Sequence, residues 1–438
     1  LAEAMAETDR LDPGWRLADI LANRPPLPDA ENGALRLLAA FEYRGNEWLP
    51  FSLDEYVGTV APCEDLLPER AKELRAKLAA KEPALIEARK MADMPHGRFT
   101  IDWTTNPIVA TIPYDPVRSV VNLLHFDVSR RLYDGDADGA LVSCRAAVHA
   151  GQYIGEEPSL LAFLVRSGCL GASLLRVERI LAQGNPTEDA LHQMQELLEE
   201  EDRRPVFYRT VRGERALNDH CLDLFARGLL PRGMLERWLD TPAFGNFKTN
   251  YAWLDAWIKS FQVTRAMNNI PAGRARLLQI NNELVAIAQL PAEDQMESLR
   301  RLHSSIANEP ALARAFAVPP AKVGDANLRT IARIRTAITI IALERYRLKY
   351  GRWPDTLAEL SPEFLAKPLL DPFAKTPLRM KRMTDGLVVY SVSADGIDDD
   401  GDVDANHPGT PGRDVGFRLW DSDKRRQPAK PKAAEKSP

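Results

Sequence analysis

The densest run of chemistry-bearing side chains is SADGIDDDGDVDANHPG, from Ser393 to Gly409, with six aspartates between Asp395 and Asp404. Carboxylates this close repel one another unless water, salt or a cation screens them. Hard cations such as Ca²⁺ suit such a loop because they take roughly six to eight oxygens, mixing carboxylates with backbone carbonyls. Gly396 and Gly401 let the backbone turn those carbonyls inward. The EF-hand template does not fit. With Gly401 as its invariant glycine, the first position is Gly396 and the last is His407; frames starting at Asp398 or Asp400 put Val403 or Ala405 where glycine belongs. On composition alone, a cation site and a solvated acidic turn both remain open.

Weaker candidates are scattered elsewhere. DGDADG carries Asp134, Asp136 and Asp138 at calcium-loop spacing, but its twelfth position is Arg145, and Asp138 reads as the cap of a following helix. Asp219, His220 and Cys221 suggest a thiol with a base, yet neighbouring residues on a helix point in different directions. Tyr251, Trp253, Trp257 and Phe261 would line a groove or, at helical spacing, join a core. Glu156 and Glu157 are an acid pair of ordinary surface type. No H-x-x-x-H, C-x-x-C, G-x-G-x-x-G, Walker A or G-x-S-x-G pattern occurs. Cys63, Cys144, Cys169 and Cys221 read as buried free thiols, with disulfides the alternative in an oxidising compartment.

The elements that must hold these residues are mostly helical. Over residues 1–116 the chain is mixed, with a helix over 68–92 that Pro83 should divide and an extended crossing strip near GRFTIDWTTNPIVATIPYDP. Residues 117–320 read as an all-α domain of helical hairpins, repeat-like but without a firm period. Its helices are expected near Val117–Tyr133, Asp138–Ala150, Pro158–Ala182, Asn185–Asp202, Arg215–Arg227, Asn246–Asn268, Gly273–Ala288 and Asp294–Ala307. Asn185 is read as the cap of the fourth. Residues 321–426 begin with a long helix capped by Asp325 and stopped by Gly351 and Pro354, followed by the β-prone pieces PLRMKRM, GLVVYSVS and VGFRLW. The fold class is therefore mainly α, a helical-hairpin domain followed by a small α+β module. Residues 427–438 read as a flexible basic tail.

The order of four pieces in this last module is specific: ALERYRLKYGRWPDTLAEL, then DPFAKTPLRM, then VVYSVSADGIDDDGD, then RDVGFRLWD. Over about 100 residues it resembles the globular part of the type II secretion major pseudopilin, where a long helix, a D-P-[WF] turn and a small antiparallel sheet support a calcium loop. The resemblance implies a Ca²⁺ site drawing on Asp395, Asp398, Asp400, Asp402 and Asp414. Three departures accompany it. Ala374 and Lys375 stand in place of the glycine-containing turn, DANHPGTPG lengthens the loop, and some 320 residues occupy the place of the pilin's apolar N-terminal helix. No resemblance covers residues 1 to about 320.

Composition sets the outer bounds. Apolar residues at 45% and charged residues at 27% are values of a globular protein, and no run approaches ~20 uninterrupted apolar residues. Fifty-seven basic against 62 acidic side chains leave a net charge of −5, which disfavours nucleic acid as a partner. The chain starts at Leu1, which leaves room for a removed signal peptide or membrane anchor. A Ca²⁺-stabilised, pseudopilin-like module suits a bacterial cell-envelope protein, periplasmic or otherwise extracytoplasmic. A non-enzymatic structural or protein-interaction role is the first expectation, with a protein partner or self-association. The alternatives are a glycan- or peptide-acting hydrolase with purely structural Ca²⁺, and a component of a pilin-like or secretion assembly.

Overall fold

The computed structural model describes residues 1–43, 51–105, 107, 112–155, 157–231, 233–234, 269–404, 407, 410 and 412–430. The protein is mainly helical with one small antiparallel sheet. The N-terminal region contains α1 (Ala2–Leu11), α2 (Leu17–Ala22), α3 (Gly33–Glu42), α4 (Phe51–Thr59), α5 (Pro68–Ala79) and α6 (Glu82–Lys90). Pro83 sits in the first turn of α6, where its missing N–H costs nothing, so the helix expected over 68–92 divides there. The strip over 97–105 runs without regular helix or strand.

Next come α7 (Tyr114–Tyr133), α8 (Ala137–Gln152), α9 (Leu160–Gln183), α10 (Glu188–Arg203) and α11 (Val206–Ala226). Beyond them lie α12 (Ile270–Ala288), α13 (Ala292–Ile306), α14 (Ala311–Phe316) and α15 (Pro320–Tyr350). Three expected starts move. The side chain of Thr187, not Asn185, caps α10 by accepting from the N–H of Ala190 at 3.3 Å. Helix α11 begins at Val206 rather than Arg215, because Phe207 and Val211 continue its apolar face into the core. Helix α15 begins at Pro320; Asp325 lies inside it and pairs with Arg329 one turn on. The helix expected over Asn246–Asn268 lies outside the described residues. By length and hydropathy α9 would cross a membrane, but here it packs in the core between α8 and α15.

The sheet has strands β1 (Arg379–Met383), β2 (Gly386–Ser391) and β3 (Val415–Trp420) in that order, all antiparallel. Its register pairs Met380 with Val389 and Val389 with Phe417. Helix α15 organises what surrounds it, since every residue from Thr336 to Glu344 is buried. A helix without a solvent face must be covered on all sides. Leu387, Val389, Phe417 and Leu419 of the sheet share one hydrophobic cluster with Ile338, Ile341 and Leu343 of α15, Val177 and Ile180 of α9, and Leu191 and Met194 of α10. The core is thus continuous from the helical hairpins through α15 into the sheet.

One of the nine is a carboxylate. Glu344 is fully buried and receives two hydrogen bonds from Arg425, at 2.7 and 2.8 Å, while Arg347 one turn on bonds the same oxygens. Burial alone would raise its pKa, but these guanidiniums outweigh it and hold the pKa below the ordinary value. Arg425 Nε also donates to the carbonyl of Trp420 at 3.0 Å. Beyond Arg425 the chain stays docked: Gln427 N–H donates to Cys63 O at 2.7 Å, and Asp65 N–H donates to Gln427 O at 2.9 Å. The tail expected from residue 427 is therefore tied down through residue 430, and residues 431–438 lie outside the described chain. Removing one partner of a buried ion pair strands the other, so Arg425→Ala should cost about 3 kcal/mol in urea unfolding. A loss below about 0.5 kcal/mol, the size of an ordinary surface change, would contradict this docking.

Candidate metal centre

The aspartate loop leaves β2 at a fixed point. Asp371, buried in the DPF turn, accepts hydrogen bonds from the Phe373 N–H (2.8 Å), Ser391 Oγ (2.7 Å), the Val392 N–H (3.0 Å) and Arg379 Nη1 (3.2 Å). One carboxylate so joins the turn, strand β1 and the end of β2. The turn itself closes with Lys375 at φ 60°, a left-handed conformation taken by a residue with a Cβ.

Past Val392 the backbone turns repeatedly, with Ser393, Gly396, Asp400 and Gly401 all at positive φ. Asp395 Oδ1 accepts from the Ile397 N–H at 3.1 Å, and Asp398 Oδ1 from the Asp400 N–H at 3.0 Å. These short-range bonds are the turn chemistry for which aspartate is favoured. The returning chain then clamps the loop: Asp414 N–H donates to Asp402 O at 2.9 Å, and Gly401 N–H donates to Asp414 Oδ2 at 2.9 Å. Gly401 is required here twice over. Its φ is +76°, and a Cβ would stand 2.8 Å from Val388 Cγ1.

Asp414 is the electrostatic centre of the loop. It is 1% exposed, and its Oδ1 makes no hydrogen bond among the described residues. Asp399 Oδ2 is buried and unpartnered in the same way. Burial, reinforced by the charges of Asp398 and Asp399, pushes the Asp414 carboxyl from its ordinary 3.8 up to about 6, against the opposing pull of the Gly401 and Asp399 N–H groups. Tyr390 beside it is pushed up to about 12, first by burial and then by Asp398.

The five expected ligands divide. Asp398, and Asp399 outside the expected set, lie close enough to Asp414 to raise its carboxyl by their charge. Asp395 turns to its own loop backbone. Asp400 and Asp402 face outward with side chains 80% and 60% exposed, Asp400 on Lys381 and Asp402 at 3.6 Å from Arg413. Asp398 also meets Arg379 Nε at 3.0 Å. Among the described residues, no group of three or more His, Cys, Asp or Glu side chains already stands in metal-holding geometry. The donors in the loop suited to a hard, oxygen-seeking cation are two buried carboxylate oxygens without hydrogen-bond partners among the described residues, Asp399 Oδ2 and Asp414 Oδ1.

The weaker candidates resolve into structural parts. Asp136, not Asp138, caps α8, accepting from the Gly139 N–H at 2.9 Å, while Asp138 accepts from the Thr187 N–H at 2.8 Å. Burial pushes the Cys221 thiol up to about 12, and His220 Nε2 lies 2.8 Å from Thr104 O, so they form no nucleophilic pair. All four cysteines are free thiols. Glu157 is buried against Arg24 and accepts from Trp103 Nε1 at 2.7 Å; Glu156 and the aromatic run at Tyr251, Trp253, Trp257 and Phe261 lie outside the described residues. No protein-family model, curated protein or solved structure matches the chain.

Two outcomes follow from this geometry. Gly401→Ala adds a clash and a left-handed alanine, and should lower stability by about 1–2 kcal/mol in urea unfolding; an unchanged midpoint would contradict the packing against Val388. The second concerns pH. With a folded pKa of about 6 against 3.8 unfolded, Asp414 holds its proton longer in the folded state. In chelator its contribution to stability therefore falls as pH rises from about 4 to about 6. Asp414→Asn should flatten that fall in a pH series of urea midpoints, and an unchanged slope would show that another group carries it.

Proposed function

We propose that this chain is a non-enzymatic bacterial cell-envelope protein with a structural or protein-interaction role, whose pseudopilin-like C-terminal module is stabilised by Ca²⁺. The observation that carries the reading is the Asp414 carboxylate, buried with an unpartnered oxygen and with Asp398 and Asp399 beside it. Buried acids of this kind are tolerable when protonated or when a cation neutralises them, and near neutral pH the second state is the stable one. A weak site of this type suits the exterior of the cell or the periplasm, since Ca²⁺ is millimolar outside cells and scarce in cytosol. Helix α15 packs against the sheet and against α9, α10 and α13, and is wholly buried over Thr336–Glu344, which favours a scaffold over a polymerising subunit. The acid-rich composition leaves proteins, not nucleic acid, as the expected partners.

A cation that binds only the folded loop raises stability by linkage, by about 2.7 kcal/mol at a hundredfold excess over its dissociation constant. Thermal unfolding should therefore shift upward in millimolar Ca²⁺ relative to chelator. Asp414→Asn keeps the oxygen that accepts from Gly401 but removes the charge. It should melt at or above the wild type in chelator and below it in Ca²⁺. Identical wild-type melting in the two conditions would sink the metal reading.

A further inference from the structure

Between α9, the α10–α11 connection, the α12–α13 connection and α15 lies a cavity of about 450 Å³, the size of a small-molecule site. Its charged lining is already paired. Arg166 donates to Glu201 at 2.6 Å, Arg335 to Asp202 at 3.1 Å and Arg204 to Glu200 at 2.5 Å, while Arg203 lies 3.9 Å from Glu199. A charged ligand therefore meets no unpaired opposite charge in this lining and would lose its hydration without compensation, so the cavity suits an uncharged one. The apolar lining is Phe163, Leu170, Phe207, Leu290, Ile331 and Ile334. The same cavity is lined by Asn327 of α15, 5% exposed, whose side-chain amide makes no hydrogen bond among the described residues. Such an amide carries a carbonyl acceptor beside an N–H donor, and leaving both unmatched in a buried place is costly.

We propose that this cavity binds a small uncharged carboxamide or lactam, its amide edge paired with Asn327 through two hydrogen bonds and its apolar body against the phenylalanine and isoleucine wall. One amide complements another, because each offers in one plane the donor and the acceptor that the other needs. Pro205 and Pro291 stiffen the two connections that border the site, which limits the ordering cost of binding. The site is built from other residues than the aspartate loop and does not depend on the calcium reading.

The test is isothermal titration of the full chain, in calcium-free buffer at fixed ionic strength, with benzamide, benzoate and toluene. These share an aromatic body and differ in the group that meets Asn327. Benzamide is expected to bind saturably and about tenfold more tightly than either of the others, the worth of a matched pair of hydrogen bonds. Asn327→Leu keeps the branched shape of the side chain and removes the amide. It should lose the preference for benzamide, while toluene binds at least as well as to the wild type and the unfolding midpoint does not fall. No saturable benzamide binding, benzoate or toluene binding as tightly as benzamide, or a benzamide preference that survives in Asn327→Leu would overturn the proposal. The comparison of the three probes uses the wild type, so it stands whether or not the variant folds.

Discussion

Nine consecutive buried residues, Thr336 to Glu344, set the architecture. A helix is narrow, and an isolated one always leaves a wet face, so complete burial demands partners on every side. Helices α9 and α10 supply one set and the sheet supplies another, which makes α15 common property of the helical hairpins and the C-terminal module. The sheet has three strands among the described residues, near the lower limit for stability, and its apolar face is buried against this helix. The single charge in the buried run, Glu344, is tolerable because Arg347 and Arg425 both reach it. That pairing draws the chain beyond β3 back into the structure and fixes it beside Cys63.

The aspartate loop is built on the far side of the same sheet system by a second set of anchored carboxylates. Asp371 fixes where the loop begins and Asp414 fixes where it closes. The two differ in one respect that matters. Asp371 has both oxygens engaged by donors, including Arg379, whereas Asp414 has one oxygen satisfied by a backbone N–H and one with no partner among the described residues. A fully bonded buried carboxylate holds a fold together by itself. One that is half bonded and crowded by Asp398 and Asp399 asks for a proton or a cation.

Much of this was legible in the sequence. Apolar periodicity located α7 to α10 and α15, β-branched and aromatic alternation located β2 and β3, and Pro83 divided α5 from α6, because each of these signals is local. Helix starts were less legible: Thr187 and Asn185 are both good capping residues, and only the packing decides between them. Docking of the residues after β3 was invisible, since KRRQPAKPK has the composition of a tail and the partner of Arg425 lies 81 residues earlier. Within the loop, the acidic cluster and Asp414 stood out, yet spacing gave no means of telling the inward Asp399 from the outward Asp400. Four positive-φ residues, two of them not glycine, set the turns on which these carboxylates sit.

The calcium ion proposed at Asp414 and its neighbours is tested most directly by proton release on binding. Because Asp414 titrates at about 6 in the metal-free fold, Ca²⁺ must displace its proton when binding occurs near that pH. Calorimetric titration of Ca²⁺ at about pH 6, in two buffers of different ionisation enthalpy, should give saturable binding of a single ion with release of a fraction of a proton, and Asp414→Asn should lose both. Saturable binding without proton release, or no saturable heat at all, would contradict the account.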